Sequence, residues 1–364
     1  MKIIEREISQ AQVDALVQNG VAPLLARLFV GRGVQSPQEL DTGLQHLLPP
    51  SGLKGIEAAA QLLAQAIAAQ QRICIVADYD CDGATACAVA VRGLRMLGAQ
   101  HVSYEVPDRV QDGYGLSPAI ARRVAAQGYG LLVTVDNGIG SIAGVREAQR
   151  LGLQVLVTDH HLPGAELPTP EAMVNPNQPG CGFASKSLAG VGVMFYVLLQ
   201  LRALLRERGA YAAAPQPKLD TLLPLVALGT VADVVRLDTN NRRLVDQGLL
   251  RIRKGHMPAG MRALYQAAGK TWQQASTQDF GFALGPRINA AGRLADMTIG
   301  IECLLTDDFG QALELAQALD RINRQRQHLE GDMRQQAFAL AEGLCQDSGS
   351  APAAISVFDP EFHE

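Results

Sequence analysis

Short apolar runs that end in aspartate constrain this chain more than anything else in it. Ile73-Cys74-Ile75-Val76 leads into Asp78-Tyr79-Asp80-Cys81-Asp82-Gly83, and Leu131-Leu132-Val133-Thr134-Val135 leads into Asp136-Asn137-Gly138. Val155-Leu156-Val157 leads into Asp159-His160-His161, and Gly229-Thr230-Val231-Ala232 ends on Asp233. A β-branched run followed by Asp is the pattern of a buried parallel strand whose carboxyl end faces a site. Repeated along a chain, it brings several carboxylates and an imidazole together. Each carboxylate raises its neighbour's proton affinity, so such a cluster at neutral pH calls for cations.

The intervening sequence supports a doubly wound sheet. Strands are expected at 72–77, 101–106, 130–136 and 153–158, and helices at 84–97, 117–127 and 142–150. Strands separated by helical stretches of about 10 to 14 residues make parallel βαβ units. The fold class is therefore α/β, a mostly parallel doubly wound sheet followed by a helical region. An N-terminal helical segment, 1–70, packs on the core through the Ala-rich stretch 58–67. The catalytic domain occupies 71–240, and 241–306 is a helical continuation carrying an Arg-rich loop. From Asp307 to about Cys345 there is no Pro and only one Gly in mid-stretch, Gly331, with Leu313, Ala316, Leu319 and Ile322 at helical spacing. A connector helix over 307–348 is expected, roughly 55 Å long at about 1.5 Å per residue. Ala353 to Phe358 reads as a strand, and 349–364 as the start of a truncated second domain, since a lone strand has nothing to pair with.

Composition narrows the function. Of 32 basic residues 26 are Arg, whose planar fork suits phosphate, although the net charge is −4. No apolar stretch approaches the ~20 residues needed to span a bilayer. The start of the chain lacks the apolar core of a signal peptide, so the cytoplasm is the expected compartment and no membrane partner is expected. The six cysteines form no CxxC pair, which argues against a Cys-type zinc site.

Carboxylates mixed with one imidazole suit Mn2+ or Mg2+ better than zinc. Two such ions about 3.5–4 Å apart can stabilise both oxygens of a phosphoryl displacement. If the 78–82 loop is extended, Asp78, Asp80 and Asp82 lean to one side, and Gly83 permits a turn into a helix at Ala84. An Asp-rich calcium-like loop or a helix-capping turn is the plainer reading of that loop alone. Asp136-Asn137-Gly138 alone is ordinary turn chemistry. Asp233 is either a helix cap or a ligand, and its apolar context favours the ligand. Arg287, Asn289 and Arg293, in Gly285-Pro286-Arg287-Ile288-Asn289-Ala290-Ala291-Gly292-Arg293, have no hydrophobic rationale and point to phosphate. Tyr114 and Arg109 are candidates for substrate contact, against packing in a glycine turn and a surface salt bridge respectively. Arg321, Arg324, Arg326 and Arg334 read as a solvated helix face.

In this order and spacing, the motifs resemble the DHH phosphoesterase superfamily, and in particular its single-strand-specific exonuclease branch. Further matches are Phe29-Val30-Gly31-Arg32-Gly33-Val34, Pro37-Gln38-Glu39-Leu40, Pro107-Asp108-Arg109 with Asp112-Gly113-Tyr114-Gly115-Leu116, and Val174-Asn175-Pro176-Asn177. The resemblance covers 25 to 364. It implies 5′→3′ hydrolysis of single-stranded DNA to 5′-mononucleotides with two Mn2+ or Mg2+ ions, in repair and recombination. It implies that Asp80 and Asp136, with Asp78 beside them, bind one ion. Asp82, Asp136, His160 and Asp233 bind the other, and Asp136 bridges. His161 and Arg287 offset charge on the phosphoryl oxygens, while Arg109, Tyr114, Gly115, Asn289 and Arg293 bind substrate. Single-strand-binding protein and a helicase are the implied partners of a monomer. Two departures stand out. Val76 replaces a metal-binding His of some members, and the family's C-terminal His motif and OB-fold do not follow Glu364. The alternatives are a relative acting on oligonucleotides, small nucleotides or pyrophosphate, a non-catalytic replication scaffold, and a calcium module.

Overall fold

The computed structural model describes residues 6–108, 112–348, 353–360 and 362. Five parallel strands, β1 (Ile73–Ala77), β2 (Val102–Glu105), β3 (Leu131–Val135), β4 (Gln154–Thr158) and β5 (Ala172–Val174), form one sheet in the order β2-β1-β3-β4-β5. Ala77 pairs with Val135, Val135 with Thr158, and Thr158 with Val174, so four strands end level. The order reverses between β1 and β3, and such a reversal opens a crevice beyond the carboxyl ends of the strands. Asp78 and Asp136 flank that crevice. β1 and β3 are buried along their whole length, which is why they read as unbroken apolar runs.

Helices cover both faces. α1 (Gln10–Gln18) and α2 (Pro23–Gly31) make a small core of their own around Leu16 and Ala26. α3 (Ile56–Ala68) and α4 (Cys81–Met96) share a large apolar core with later helices. α5 (Pro118–Ala126) and α6 (Ile142–Arg150) close the opposite face over Val76, Leu132 and Val155. The helical region continues with α7 (Gly190–Glu207), α8 (Leu223–Ala232), α9 (Thr239–Arg253) and α10 (Ala259–Ala267). After the single turn α11 (Thr277–Asp279) and a π-helical turn at Phe280–Leu284 come α12 (Gly285–Leu294), α13 (Thr298–Leu305) and α14 (Phe309–Ser348). No described helix is long and apolar enough to cross a membrane.

Several expectations are corrected. α4 starts at Cys81, not at 84, because Asp80 caps it by accepting from the Gly83 N–H at 2.9 Å. The 78–82 loop is therefore not extended throughout, and Asp82 lies in the first helical turn. Asp233 ends a helix, not a strand: it is the C-cap of α8. The apolar run before it is buried through helix packing, and a short buried run does not reveal its period. β5 was not expected; three residues are too few for alternation to register. α14 starts at Phe309, and its 40 residues span about 60 Å. Its first half packs through Ala312, Ala316 and Leu319, whereas Phe338 and Leu344 are exposed. Residues 354–358 form no strand, and no neighbouring strand is present among the described residues to pair with them.

Candidate metal centre

The crevice gathers its side chains from four separate segments. Asp78 follows β1, and Asp80 and Asp82 begin α4. Asp136 follows β3, His160 and His161 follow β4, and Asp233 closes α8. Oxygen and nitrogen atoms of Asp78, Asp80 and Asp136 lie within 4.8 Å of one another, as do those of Asp82, His160 and Asp233, and those of Asp136, His160 and His161. Asp136 and His160 are shared, so the groups adjoin. Asp82 and Asp136 are almost wholly buried.

Backbone geometry sets the cluster. Asp136 has φ 62°, a left-handed conformation that a non-glycine residue adopts at a cost. Such strain persists where the surroundings over-determine it, commonly at functional sites. Asp82 accepts from the N–H groups of Gly190 at 2.6 Å and Val191 at 2.9 Å, the first turn of α7, where the helix dipole favours an anion. Gly190 also approaches Asp136 so closely that a Cβ there would lie 2.5 Å from Asp136 Oδ1.

Charge follows burial. Burial first, and then the carboxylates of Asp82, Asp80 and Asp78, push Asp136 well above the usual carboxylate range. Burial and the charges of Asp233 and Asp80 do the same to Asp82, despite its two backbone donors. Burial and Asp80 raise both Asp78 and Asp233 to about 7. Burial and the neighbouring His161 lower His160 to about 4, so its imidazole stays neutral with a lone pair to offer. His161 is the opposite case. Its Nδ1–H donates to Asp159 Oδ1 at 2.7 Å, and chiefly this bond raises it to about 9, leaving a cation beside the acids.

The donor set fits divalent cations. His160 Nε2 stands 3.1 Å from Asp136 Oδ1, yet these two atoms and Asp233 Oδ2 are buried without a hydrogen-bond partner among the described residues. Adjacent ligands of an octahedral cation, each about 2.1 Å from it, lie roughly 3.0 Å apart. Asp233 Oδ2 and Asp82 Oδ2 lie 3.5 and 3.9 Å from His160 Nε2. A cation would satisfy the three orphaned atoms, Asp136 Oδ1, His160 Nε2 and Asp233 Oδ2, and remove the repulsion that raises the proton affinities of the acids.

A cavity of about 790 Å³ opens beside the cluster, lined by Asp78, Asp80, Tyr114, His161, Asn289 and Arg293 among others. The Tyr114 hydroxyl lies 3.4 Å from both the Asp136 carbonyl and His161 Nε2, and its ring is half exposed. Gly115 has φ 67°, a left-handed conformation that favours glycine, and its backbone lies beside Asn137 and Ser141. Arg293 is exposed and reaches the cavity edge. Arg109 lies outside the described residues. Asn289 lines the cavity, but its Oδ1 accepts from the Cys81 N–H at 2.6 Å. Arg287, expected to contact the phosphoryl group, is bound within the protein. It is not among the cavity's lining residues, and its Nε and Nη2 donate to Asp320 Oδ1 at 2.9 and 2.8 Å. A guanidinium and a carboxylate both largely buried are better paired with each other than left apart.

Sequence reasoning gave Asp159, Asn175, Asn177 and Gly190 no site role. Asp159 accepts from the backbone of Ile139, His160 and His161 as well as from the His161 ring, and these bonds outweigh burial and hold it below the usual range. The side-chain amides of Asn175 and Asn177 donate to the His161 and His160 carbonyls at 3.0 and 2.6 Å. The signal was the Asn-Pro-Asn motif itself, two amides on a rigid turn just after β5.

A model of the DHH family's N-terminal domain matches residues 72–230. A crystal structure of exonuclease RecJ bound to manganese is 37% identical, with a TM-score of 0.71 over 81% of this chain and 71% of that one. The chain belongs to the RecJ branch of the DHH family. The single-stranded-DNA-specific exonuclease RecJ of Salmonella typhimurium is 48% identical over 99% of this chain and 63% of its own length. The RecJ of Thermus thermophilus in complex with Mn2+ is 35% identical, with a TM-score of 0.79 over 98% of this chain and 49% of that one. The chain thus spans less than two thirds of the length of the curated RecJ relatives that it matches at 48% identity.

Proposed function

We propose that this chain carries the catalytic centre of a 5′→3′ exonuclease that hydrolyses single-stranded DNA to 5′-mononucleotides with two divalent cations, Mn2+ or Mg2+. The observation that carries the reading is the buried acid cluster in which Asp136 Oδ1, His160 Nε2 and Asp233 Oδ2 have no hydrogen-bond partner among the described residues. Similarity to RecJ proteins solved with manganese and magnesium supports it.

In this reading Asp78, Asp80 and Asp136 hold one cation, Asp82, Asp136, His160 and Asp233 hold the other, and Asp136 bridges. Bound there, the two ions would lower the pKa of a water and offset charge on the attacked phosphate. The chain's own residues do the rest. Neutral His160 offers a lone pair. His161, oriented by Asp159, presents Nε2–H to a phosphoryl oxygen and keeps its proton at neutral pH. Tyr114 borders that position and offers a ring edge and a hydroxyl to the entering nucleotide. Arg293 meets the phosphate backbone at the cavity edge. The proposed division of the chain is 1–70 as a packing segment, 71–240 as the catalytic domain, 241–306 as its helical continuation, and 307–348 as a connector. Single-strand-binding protein, a helicase, a monomeric state and a cytoplasmic setting belong to the same proposal.

The test is Mn2+-dependent release of mononucleotides from 5′-phosphorylated single strands, run against a dinucleotide and pyrophosphate. Preference for either small substrate overturns the assignment. Asp136→Asn should lower turnover by more than about 100-fold, beyond the 10–100-fold usual for outer-sphere partners of a metal. In EDTA at pH 8 the same variant should melt no lower than wild type, because it removes a repelled, buried charge.

A further inference from the structure

α12 carries Arg293 at the cavity edge, but two of its other polar residues, Arg287 and Asn289, make hydrogen bonds within the protein. Cys81 is the first residue of α4, flanked by Asp80 and Asp82, and its side chain is fully buried. The amides of a first helical turn have no partner within the helix. Asp80 takes one, that of Gly83, and Asn289 reaches across from α12 to take another, that of Cys81. One turn further on, α12 presses its backbone against the same loop: a Cβ on Gly292 would lie 1.9 Å from the Tyr79 carbonyl oxygen. α12 therefore grips 79–81 at two points, and the Asp78–Asp82 acids hang on that segment.

α12 is itself pinned from behind. Arg287 holds Asp320 of α14 through two nitrogens, and Arg324 closes the other carboxylate oxygen at 2.7 Å. Arg287 also donates to the Ala283 carbonyl at 2.7 Å, fixing the π-helical turn before α12. Asp320 is nearly buried between these two arginines.

We propose that Asn289, Arg287 and Asp320 are positioning residues: a brace from the long helix α14 through α12 that sets the geometry of the Asp78–Asp82 loop and so its affinity for divalent cations. This rests on the cation-binding reading above. Its consequence is that displacement of α14 is transmitted to the acids without any contact between α14 and the substrate.

The experiment measures Mn2+ binding to the DNA-free chain by titration calorimetry, together with amide exchange of the 78–83 segment. Asn289→Ala should weaken Mn2+ by about 10-fold, the low end of the loss that follows when groups orienting metal ligands are removed. Asp320→Asn should weaken it in the same direction, and both should expose the Cys81 amide to faster exchange. Exchanging the charges, Arg287→Asp with Asp320→Arg, should restore part of the loss and also serves if a single variant does not fold. Unchanged Mn2+ affinity with a 10-fold loss of single-strand affinity would make these residues substrate contacts and overturn the brace. Lower thermal stability with unchanged Mn2+ affinity and unchanged exchange at 78–83 would reduce it to packing and overturn it equally. If wild type binds no Mn2+, the cation-binding reading itself has failed.

Discussion

Gly190→Ala is the sharpest perturbation this site offers, because two general rules give it opposite signs. Gly190 begins α7, and replacing a helical Gly by Ala ordinarily stabilises by roughly 0.5–1 kcal/mol. Here the new methyl would stand 2.5 Å from Asp136 Oδ1 and 2.6 Å from Asp136 Cβ, about 0.9 Å inside an ordinary 3.4 Å contact. Asp136 cannot retreat, since it is buried in a left-handed backbone conformation. If α7 retreats instead, the Gly190 and Val191 N–H groups leave Asp82, and a buried carboxylate loses two donors. Overpacking costs about 1–3 kcal/mol, and a displacement near 1 Å at a catalytic group can cost about 100-fold in rate. The clash therefore wins. Gly190→Ala should lower the melting temperature, weaken Mn2+ binding and reduce single-strand hydrolysis by about 100-fold, with all three measured on one preparation. Gly331→Ala on α14 is the control: a Cβ there meets nothing within 4 Å, so it should be neutral or slightly stabilising and leave hydrolysis unchanged. If Gly190→Ala keeps Mn2+ affinity and rate within threefold of wild type, the close approach of α7 to the acids does not shape the site.

The Asp159–His161 pair makes its own prediction. Asp159→Asn should drop the His161 pKa from about 9 towards the ordinary imidazole range, readable by NMR titration, and hydrolysis should weaken above neutral pH as His161 loses its proton; an unshifted titration would end the pairing argument. A second prediction concerns pH and metal together. Asp78 and Asp233 are carboxylates raised to about 7, so the folded, metal-free chain holds protons that the unfolded chain releases near pH 4. Their stabilising contribution is full below pH 4 and is lost as pH rises through 7. In EDTA the melting temperature should fall between pH 6 and 8, less so in Asp233→Asn, and Mn2+ should stabilise more at pH 8 than at pH 6 because it must displace those protons. A Mn2+ effect that does not grow with pH would refute the linkage.

How far the sequence could be read depended on whether a residue's role lay in its side chain or in its surroundings. β1, β3 and β4 were legible because a fully buried parallel strand must be apolar on both faces, so Ile73–Ala77 and Leu131–Val135 have few other readings. The acids after them were legible as a group because several such runs each lead into Asp, although Asp80 also caps α4 and Asp233 ends α8. Asp82 lies beside the residues expected near it, but by another route. It arrives there from the first turn of α4, not by alternation along an extended loop, and two of its contacts are amides of residues more than a hundred positions away. Gly190 was illegible for the same cause, since its contribution is a missing Cβ and an N–H. Arg287 marks the limit in the other direction. An arginine in a polar glycine-rich segment is compatible with phosphate, but whether its guanidinium is free depends on a partner, and Asp320 is 33 residues further on in another helix. Local sequence states what a charged group can do, and only the fold states what it already does. For this chain the fold engages Arg287 with Asp320 on another helix.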